Sequence, residues 1–490
     1  MSFVTCHLKC TMKKKQLLRN LGVYGFDQVE PVILASLVSE DPLLLIGKAG
    51  TGKTYLLNSI SEALNLEHRH YNASFLSFDD LVGFPYPDNG GREITFLKTP
   101  ATIWEAESVL IDEISRCKPE TQNKFFSIIH EKKIQGIGLP RLRYRWAAMN
   151  PIVSDATEAE DVYEGSISLD QALADRFAFI VEVPDWAGLT VEEQELVIFP
   201  AGEGCISAFS EELIGMISHL RKRFLEQIKA PPQEVVTYCR IISTLLGEAG
   251  LRISPRRARL LARNFIALFL VAEASGRPVR EAERRKLYEL GLTWSIPHRA
   301  WKNSIPAHIL VAAHAECLRL VFSKDLKERW LSEFLMVPSL TTKIAMLMED
   351  DIPVEIKSLA VLQFISNDSI TRAAIFAFAA APLLESAGKI DEESLEELTE
   401  IAVSIMKVNG ELQWREVGSQ KSQHPSWARC AHYLETIPVE LQMRKTKAKQ
   451  LFLYLVCNSV PVIEPELVEQ ELAACFQGIQ KYLPLKDTRA

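Results

Sequence analysis

No unbroken apolar run in these 490 residues reaches the length that crosses a bilayer. The longest run, residues 373–384, falls short of the roughly 18–20 residues a membrane helix needs, so no span is expected. The opening stretch MSFVTCHLKCTMKKKQLLRN carries bases but no apolar core followed by a small-residue cleavage site, which argues against a secretory signal and for the cytoplasm. A disulfide framework is also missing: nine cysteines, an odd number, are scattered singly, as suits reduced thiols. Cys6, His7 and Cys10 offer half a zinc site, and no second Cys/His pair at ligand spacing follows. An excess of basic charge is absent too. The formal net charge of −8 has the wrong sign for a chain that coats phosphate backbones. The clusters at Lys13, Lys14 and Lys15 and at Arg444, Lys445, Lys447 and Lys449 read as solvated helix faces. No internal repeat or low-complexity linker is visible.

What is present is the composition of a globular protein, 47% hydrophobic and 24% charged, on a chain long enough for several domains of roughly 100–200 residues each. Between about residues 30 and 185, short apolar runs alternate with amphipathic stretches, the pattern of strands and crossover helices in a parallel sheet. Strands are expected at residues 43–46, 109–111, 146–149 and 179–183, and a helix at 118–131. After Pro184 helical periodicity dominates: Leu395, Leu398, Ala402 and Ile405 share one face, with Asp391 as a start and Asn409-Gly410 as a stop, and Leu472, Phe476, Ile479 and Leu483 share another. The fold class is therefore α/β followed by all-α. Two prolines in TWSIPHRAWKNSIP interrupt the pattern near residue 300, which suggests domains at 1–200, 201–300 and 301–490.

The sharpest local signal is LLLIGKAGTGKT. Gly47-Lys48-Ala49-Gly50-Thr51-Gly52-Lys53-Thr54 fits G-x-x-x-x-G-K-[ST] between a strand and a helix. Such a loop wraps phosphates with its backbone N–H groups and the following helix N-terminus. Lys53 would reach the β- and γ-phosphates, and the Thr54 hydroxyl would ligate Mg²⁺. Further on, SVLIDEIS reads as a buried strand ending in Asp112 and Glu113, at the end where open α/β sheets bind ligands. Asp112 would hold Mg²⁺ from outside its direct ligands or through water, and Glu113 would polarise the attacking water. Two carboxylates would not repay their desolvation there as packing alone. Together the motifs point to ATP hydrolysis with Mg²⁺. His68 and His70, on one side of a strand, could share a metal, but a structural histidine pair is the commoner outcome.

Further motifs bring a specific resemblance. Asn150 in AAMNP ends the next strand, EGSISLDQALADRF spans residues 164–177, and ISPRRARLLAR begins a basic helix. With KTPATIWEAESVLIDEISRCKPETQNKFFSIIHEKKIQG, these stretches resemble the MoxR branch of the AAA+ ATPases over roughly residues 20–300 and none of the last 190. The resemblance implies a P-loop αβα core with a helical lid and then a largely helical domain of unknown role. It also implies that Asn150 is the sensor-1 residue, Arg176 an arginine finger directed at a neighbouring subunit's γ-phosphate, and Arg256 the sensor-2 residue coupling the lid to nucleotide. Arg257 is its rival, because adjacent helix positions point about 100° apart and only one can face a phosphate. Ala174 stands where the family usually has leucine, and Ala49 where it often has proline.

A finger supplied in trans requires a homo-oligomer, expected as a hexamer with ATP. Two hairpins would face its pore: residues 81–96, around Asn89-Gly90-Gly91, and 133–146, interrupted by Pro140. The resemblance implies remodelling or maturation of a protein client, with a von Willebrand A domain protein as a frequent partner. Trp301, Trp330, Trp414 and Trp427 mark a C-terminal region that could choose clients, although core packing explains most of them. The alternative is an AAA+ nucleic-acid motor or loader, as in defence or restriction systems, with residues such as Arg252, Arg263 and Arg444 on phosphates.

Overall fold

The computed structural model describes residues 17–87, 94–117, 119–152, 167–199, 206–276, 279–301, 306–408, 415–417, 420–422 and 425–482. Two compact units divide the chain at residues 321 and 322.

Among its described residues the first unit has nine strands: β1 (Leu43–Ile46), β2 (His68–Asn72), β3 (Phe84–Pro87), β4 (Ile94–Leu97), β5 (Ser108–Asp112), β6 (Lys133–Ile134), β7 (Ile137–Gly138), β8 (Tyr144–Met149) and β9 (Phe179–Glu182). Five form a parallel sheet in the order β2-β5-β8-β1-β9. Every residue of β1 and β8 is buried, which is why those strands read as unbroken apolar runs: helices cover both faces. The expected strands are all present, and the helix expected at 118–131 is Pro119–Phe126 followed by a π-helical turn, Ser127–Glu131. The β3–β4 pair is antiparallel, as the hairpin pattern suggests, but its tip with Asn89, Gly90 and Gly91 lies outside the described residues. The second hairpin is smaller than expected. It is only β6–β7, turned by Gln135 and Gly136 at φ 49° and 81°, and Pro140 lies beyond it.

Helices Ile206–Gln227, Gln233–Glu248, Pro255–Ala274 and Glu281–Thr293 occupy the region expected as the lid. Ala307–Phe322 follows, and its Cys317 and His314 bond to Tyr238 of Gln233–Glu248, so most of this helix belongs to the first unit rather than to a domain beginning at residue 301. The prolines near 300 interrupt helicity without ending the packed unit.

The second unit is helical around Ile370–Ala387, whose residues 373–381, Leu383 and Leu384 are buried. That helix is long and apolar enough to cross a membrane by composition, but its apolar side chains are taken up by the surrounding helices. Glu392–Lys407 starts at Asp391, whose carboxylate caps Ser394 N–H at 2.9 Å. Asn409, Gly410 and Leu483, like Cys6, His7, Cys10 and Lys13 to Lys15, lie outside the described residues. A two-stranded ribbon, Arg415–Val417 with Gln420–Ser422, interrupts the helices and has no counterpart in the sequence reading. Trp330 and Trp427 are core residues of this unit, Trp301 packs on the first unit's core, and Trp414 lies outside the described residues.

Candidate active site

The carboxyl ends of β5, β8 and β1 lie side by side, and each carries part of the site: Asp112 and Glu113, then Asn150, then the loop from Gly47. Gly47 N–H bonds to Met149 carbonyl at 3.1 Å, which fixes the start of the loop beside Asn150. Gly50 and Gly52 have φ of 79° and 81°, left-handed values that a side chain disfavours. Gly52 caps the helix Lys53–Ala63, whose N-terminus therefore faces the loop. Ala49 and Gly50 are exposed and Thr51 is half-buried, with its hydroxyl donating to Lys48 carbonyl at 2.9 Å.

Lys53 is buried, and its ammonium donates to the carbonyls of Gly47 and Lys48 at 2.7 and 2.8 Å. Burial pulls its pKa down, against the opposing pull of Asp112 and Glu113. The Thr54 hydroxyl donates to Asp112 Oδ2 at 2.8 Å, and Asp112 also accepts from Glu113 N–H at 2.9 Å and faces His70 Nε2 at 3.3 Å. Burial pushes Asp112 upward, yet the bonds from His70, Thr54 and Glu113 outweigh it and hold the carboxyl below its ordinary value. A hydroxyl and a carboxylate oxygen turned to one point are the hard donors Mg²⁺ prefers, so the residues fit that ion. Asn150 is fully buried just past the end of β8.

His68 and His70 do not meet at a metal. His68 is bonded on both ring nitrogens, to Ser108 Oγ at 2.8 Å and Asn58 Oδ1 at 3.1 Å, whereas His70 turns to Asp112. No metal-holding cluster of His, Cys, Asp and Glu occurs among the described residues.

Arg176 lies at the other end of the sheet. Ala178 and Phe179 N–H groups bond to Pro42 carbonyl, at the amino end of β1, while the phosphate loop leaves its carboxyl end. Four strand residues at about 3.3 Å each put roughly 13 Å of strand between them. The Arg176 guanidinium stacks over Phe126 at 4.6 Å and donates to Ala172 carbonyl, and its buried Nε has no hydrogen-bond partner. Burial and the neighbouring Arg256 lower its pKa. Glu164 of the matching motif lies outside the described residues.

The two lid arginines are sorted by burial. Arg257 is 1% exposed and spends its donors on Asp175 and on the carbonyls of Ala174, Ala178 and Ser295. Arg256 is half-buried and pairs with Asp175 at 3.2 Å. Both therefore sit at the Arg176 end, away from their own chain's phosphate loop. Arg263 is likewise committed to Asp41, and Arg444 to Glu469, which leaves these proposed nucleic-acid contacts occupied within the chain.

A cleft of about 620 Å³ opens beside the loop, walled by Val23, Tyr24, Phe26, Trp186, Ile198 and Phe199. Its apolar sides are suited to a nucleobase, and the sequence reading missed them. The one available signal was the turn GVYGF just ahead of the first helix.

Residues 42–177 match the AAA domain (dynein-related subfamily). The crystal structure of a candidate ATPase of Cytophaga hutchinsonii is similar at 17% identity, with a TM-score of 0.44, covering 61% of this chain and 91% of that one. No curated protein matches the chain. The matched segment begins one residue before β1 and ends just past Arg176, so it contains the loop, Asp112, Glu113, Asn150 and the candidate finger. Residues 42–177 are an AAA domain, and the chain hydrolyses ATP.

Proposed function

We propose that this ATPase is MoxR-like, assembles into a ring that is hexameric with ATP, and uses hydrolysis to remodel or mature a protein client, with a von Willebrand A domain protein as bridging partner. The observation that carries the ring is the position of Arg176. A cation roughly 13 Å of strand away from its own phosphate loop can complete a site only on a second copy. Arg256, held beside it through Asp175, acts in the same direction.

Within each site the loop amides and Lys53 bind the phosphates, Thr54 and Asp112 hold Mg²⁺, Asn150 orients water and Glu113 accepts its proton. The ion, when bound, neutralises charge on the β- and γ-phosphate oxygens. Lys53 exchanges its two carbonyl partners for phosphate oxygens, which lets a buried ammonium keep its hydrogen bonds. The exposed Phe84, Tyr86 and Leu97 on the β3–β4 hairpin and Ile137 on β7 are the client contacts. Residues 322–490, outside the AAA match, choose the client.

The test is the solution mass of Glu113→Gln with and without Mg·ATP, beside the Arg176→Ala variant. A nucleotide-dependent ring that is lost on removing Arg176 is expected. A monomer hydrolysing ATP equally well without Arg176 would overturn the ring.

A further inference from the structure

Nothing in the hydrolytic step uses His70. In register with Leu110, it stands on the same face of the sheet as Asp112, two residues further along β5. Its Nε2 is 3.3 Å from Asp112 Oδ2, the oxygen that also accepts the Thr54 hydroxyl at 2.8 Å. An imidazole nitrogen, a carboxylate oxygen and a hydroxyl oxygen therefore border the place where this site takes its divalent ion. Two adjacent ligands, each about 2.1 Å from an octahedral ion, stand about 3.0 Å apart. The separations of 2.8 and 3.3 Å lie on either side of that value, so Asp112 can share one ion with both Thr54 and His70 after only small shifts.

His68, two residues earlier, lacks this freedom because Ser108 and Asn58 hold both of its ring nitrogens. The His70 side chain is 37% exposed and turns without stranding a buried group. Its nitrogen also discriminates among ions. Mg²⁺ prefers oxygen ligands and keeps its waters, whereas the later first-row ions Co²⁺, Ni²⁺ and Zn²⁺ accept imidazole and bind mixed nitrogen and oxygen sites more tightly than the earlier ones do. Beside the hydroxyl and the carboxylate, His70 adds a ligand that Mg²⁺ scarcely uses and those ions do.

We propose that the nucleotide site is a mixed nitrogen and oxygen metal site, in which Thr54, Asp112 and His70 ligate a later first-row divalent ion and His70 sets the preference for such an ion over Mg²⁺. The inference rests on the reading of Thr54 and Asp112 as the residues that hold the ion. Beside an ionised Asp112, which can only accept, Nε2 carries a proton. On ligation that proton passes to water while Nδ1 takes one from water, so the ring stays neutral and offers the Nε2 lone pair. The ion gives up one bound water as the bond to nitrogen forms.

The experiment measures ADP binding to the full chain by calorimetry in saturating Mg²⁺ or Co²⁺, for wild type, His70→Gln and Asp112→Ala. X-ray absorption at the cobalt edge, with one equivalent of Co²⁺ and tripolyphosphate in place of ADP, reads imidazole bound to the ion, since that anion carries no nitrogen. Wild type is expected to bind ADP more tightly in Co²⁺ than in Mg²⁺. His70→Gln should weaken binding in Co²⁺ about 10-fold, the scale on which metal affinity answers to the residues around an ion, and leave binding in Mg²⁺ within about twofold. Outer-shell scattering from one imidazole ring is expected in wild type and lost in His70→Gln. Equal weakening in both ions, or no change in either, overturns the proposal. If His70→Gln does not bind ADP, His70→Asn is read in the same way, and a wild-type spectrum without imidazole scattering overturns the proposal whatever the variants do. Binding in both ions that Asp112→Ala leaves unchanged overturns the reading of Asp112 as a metal-holding residue, a separate result.

Discussion

At the carboxyl ends of β1, β5 and β8 the chain gathers a glycine loop, a buried lysine, two carboxylates and an asparagine. At the amino ends of the same sheet it gathers arginines: Arg176 on Phe126, Arg256 and Arg257 on Asp175, and Arg263 on Asp41. One end can bind a phosphate chain, and its arginines Arg116 and Arg299 are paired with Glu113 and Glu182; the other gathers arginines away from the phosphate loop. A parallel sheet keeps the two ends apart, because every strand runs the same way: the Arg176 segment enters β9 at the amino end of β1, whereas the loop leaves β1 at its carboxyl end. In the proposed ring each chain offers two half-sites facing opposite ways, and joining copies head to tail would supply each half with its complement.

The largest expected effect breaks this comparison directly. Lys53→Ala should lose nucleotide binding and Arg176→Ala should keep it, while each loses hydrolysis by about 10³-fold, the scale of a missing phosphate cation. Mixing the two chains should restore part of the phosphate release, since Lys53→Ala still offers a finger and Arg176→Ala still offers a loop. No restoration would mean that the two ends never meet across a boundary.

A smaller effect separates the two lid arginines. Arg257→Met removes a buried guanidinium from Asp175 and from three carbonyls, and should cost the first unit about 3 kcal/mol. Arg256→Ala, at a half-exposed pair, should cost under about 1 kcal/mol while impairing hydrolysis. Urea midpoints with phosphate-release rates check this, and equal stability losses would erase the distinction between staple and sensor.

The smallest effect concerns neither end. Burial first, and then the charges of His70 and Arg69, push the His68 imidazole down to about 4 from 6.5. As pH falls through 6.5 the unfolded chain takes up the proton before the folded one, so stability present above that pH is lost progressively toward pH 4. The loss is at most about 3 kcal/mol, and His68→Gln should flatten that part of a plot of urea midpoint against pH. An unchanged slope would remove His68 as its cause.

The loop and the Asp112-Glu113 pair were legible because their demands are local: left-handed glycines, a lysine at fixed spacing, carboxylates at the end of an apolar strand. Secondary structure was legible where periodicity was strong, as at Glu392–Lys407, and failed where tertiary packing decided it, as in the π-helical turn Ser127–Glu131. The choice between Arg256 and Arg257 stayed open because the phase of a helix about its axis is set by what it docks on. The structure turns Arg257 inward onto carbonyls and leaves Arg256 half-exposed. The base cleft was missed because its walls come from residues 22–26, 184–189 and 196–199, segments far apart in sequence.

The sequence by itself determined that this protein binds and hydrolyses a nucleotide, since a phosphate cradle is a matter of short-range backbone geometry and spacing. Only the tertiary structure decided that Arg176 faces away from its own cradle and that Arg116 closes over Glu113. The direction of a side chain relative to a distant loop depends on strand order and helix docking, which no local pattern encodes.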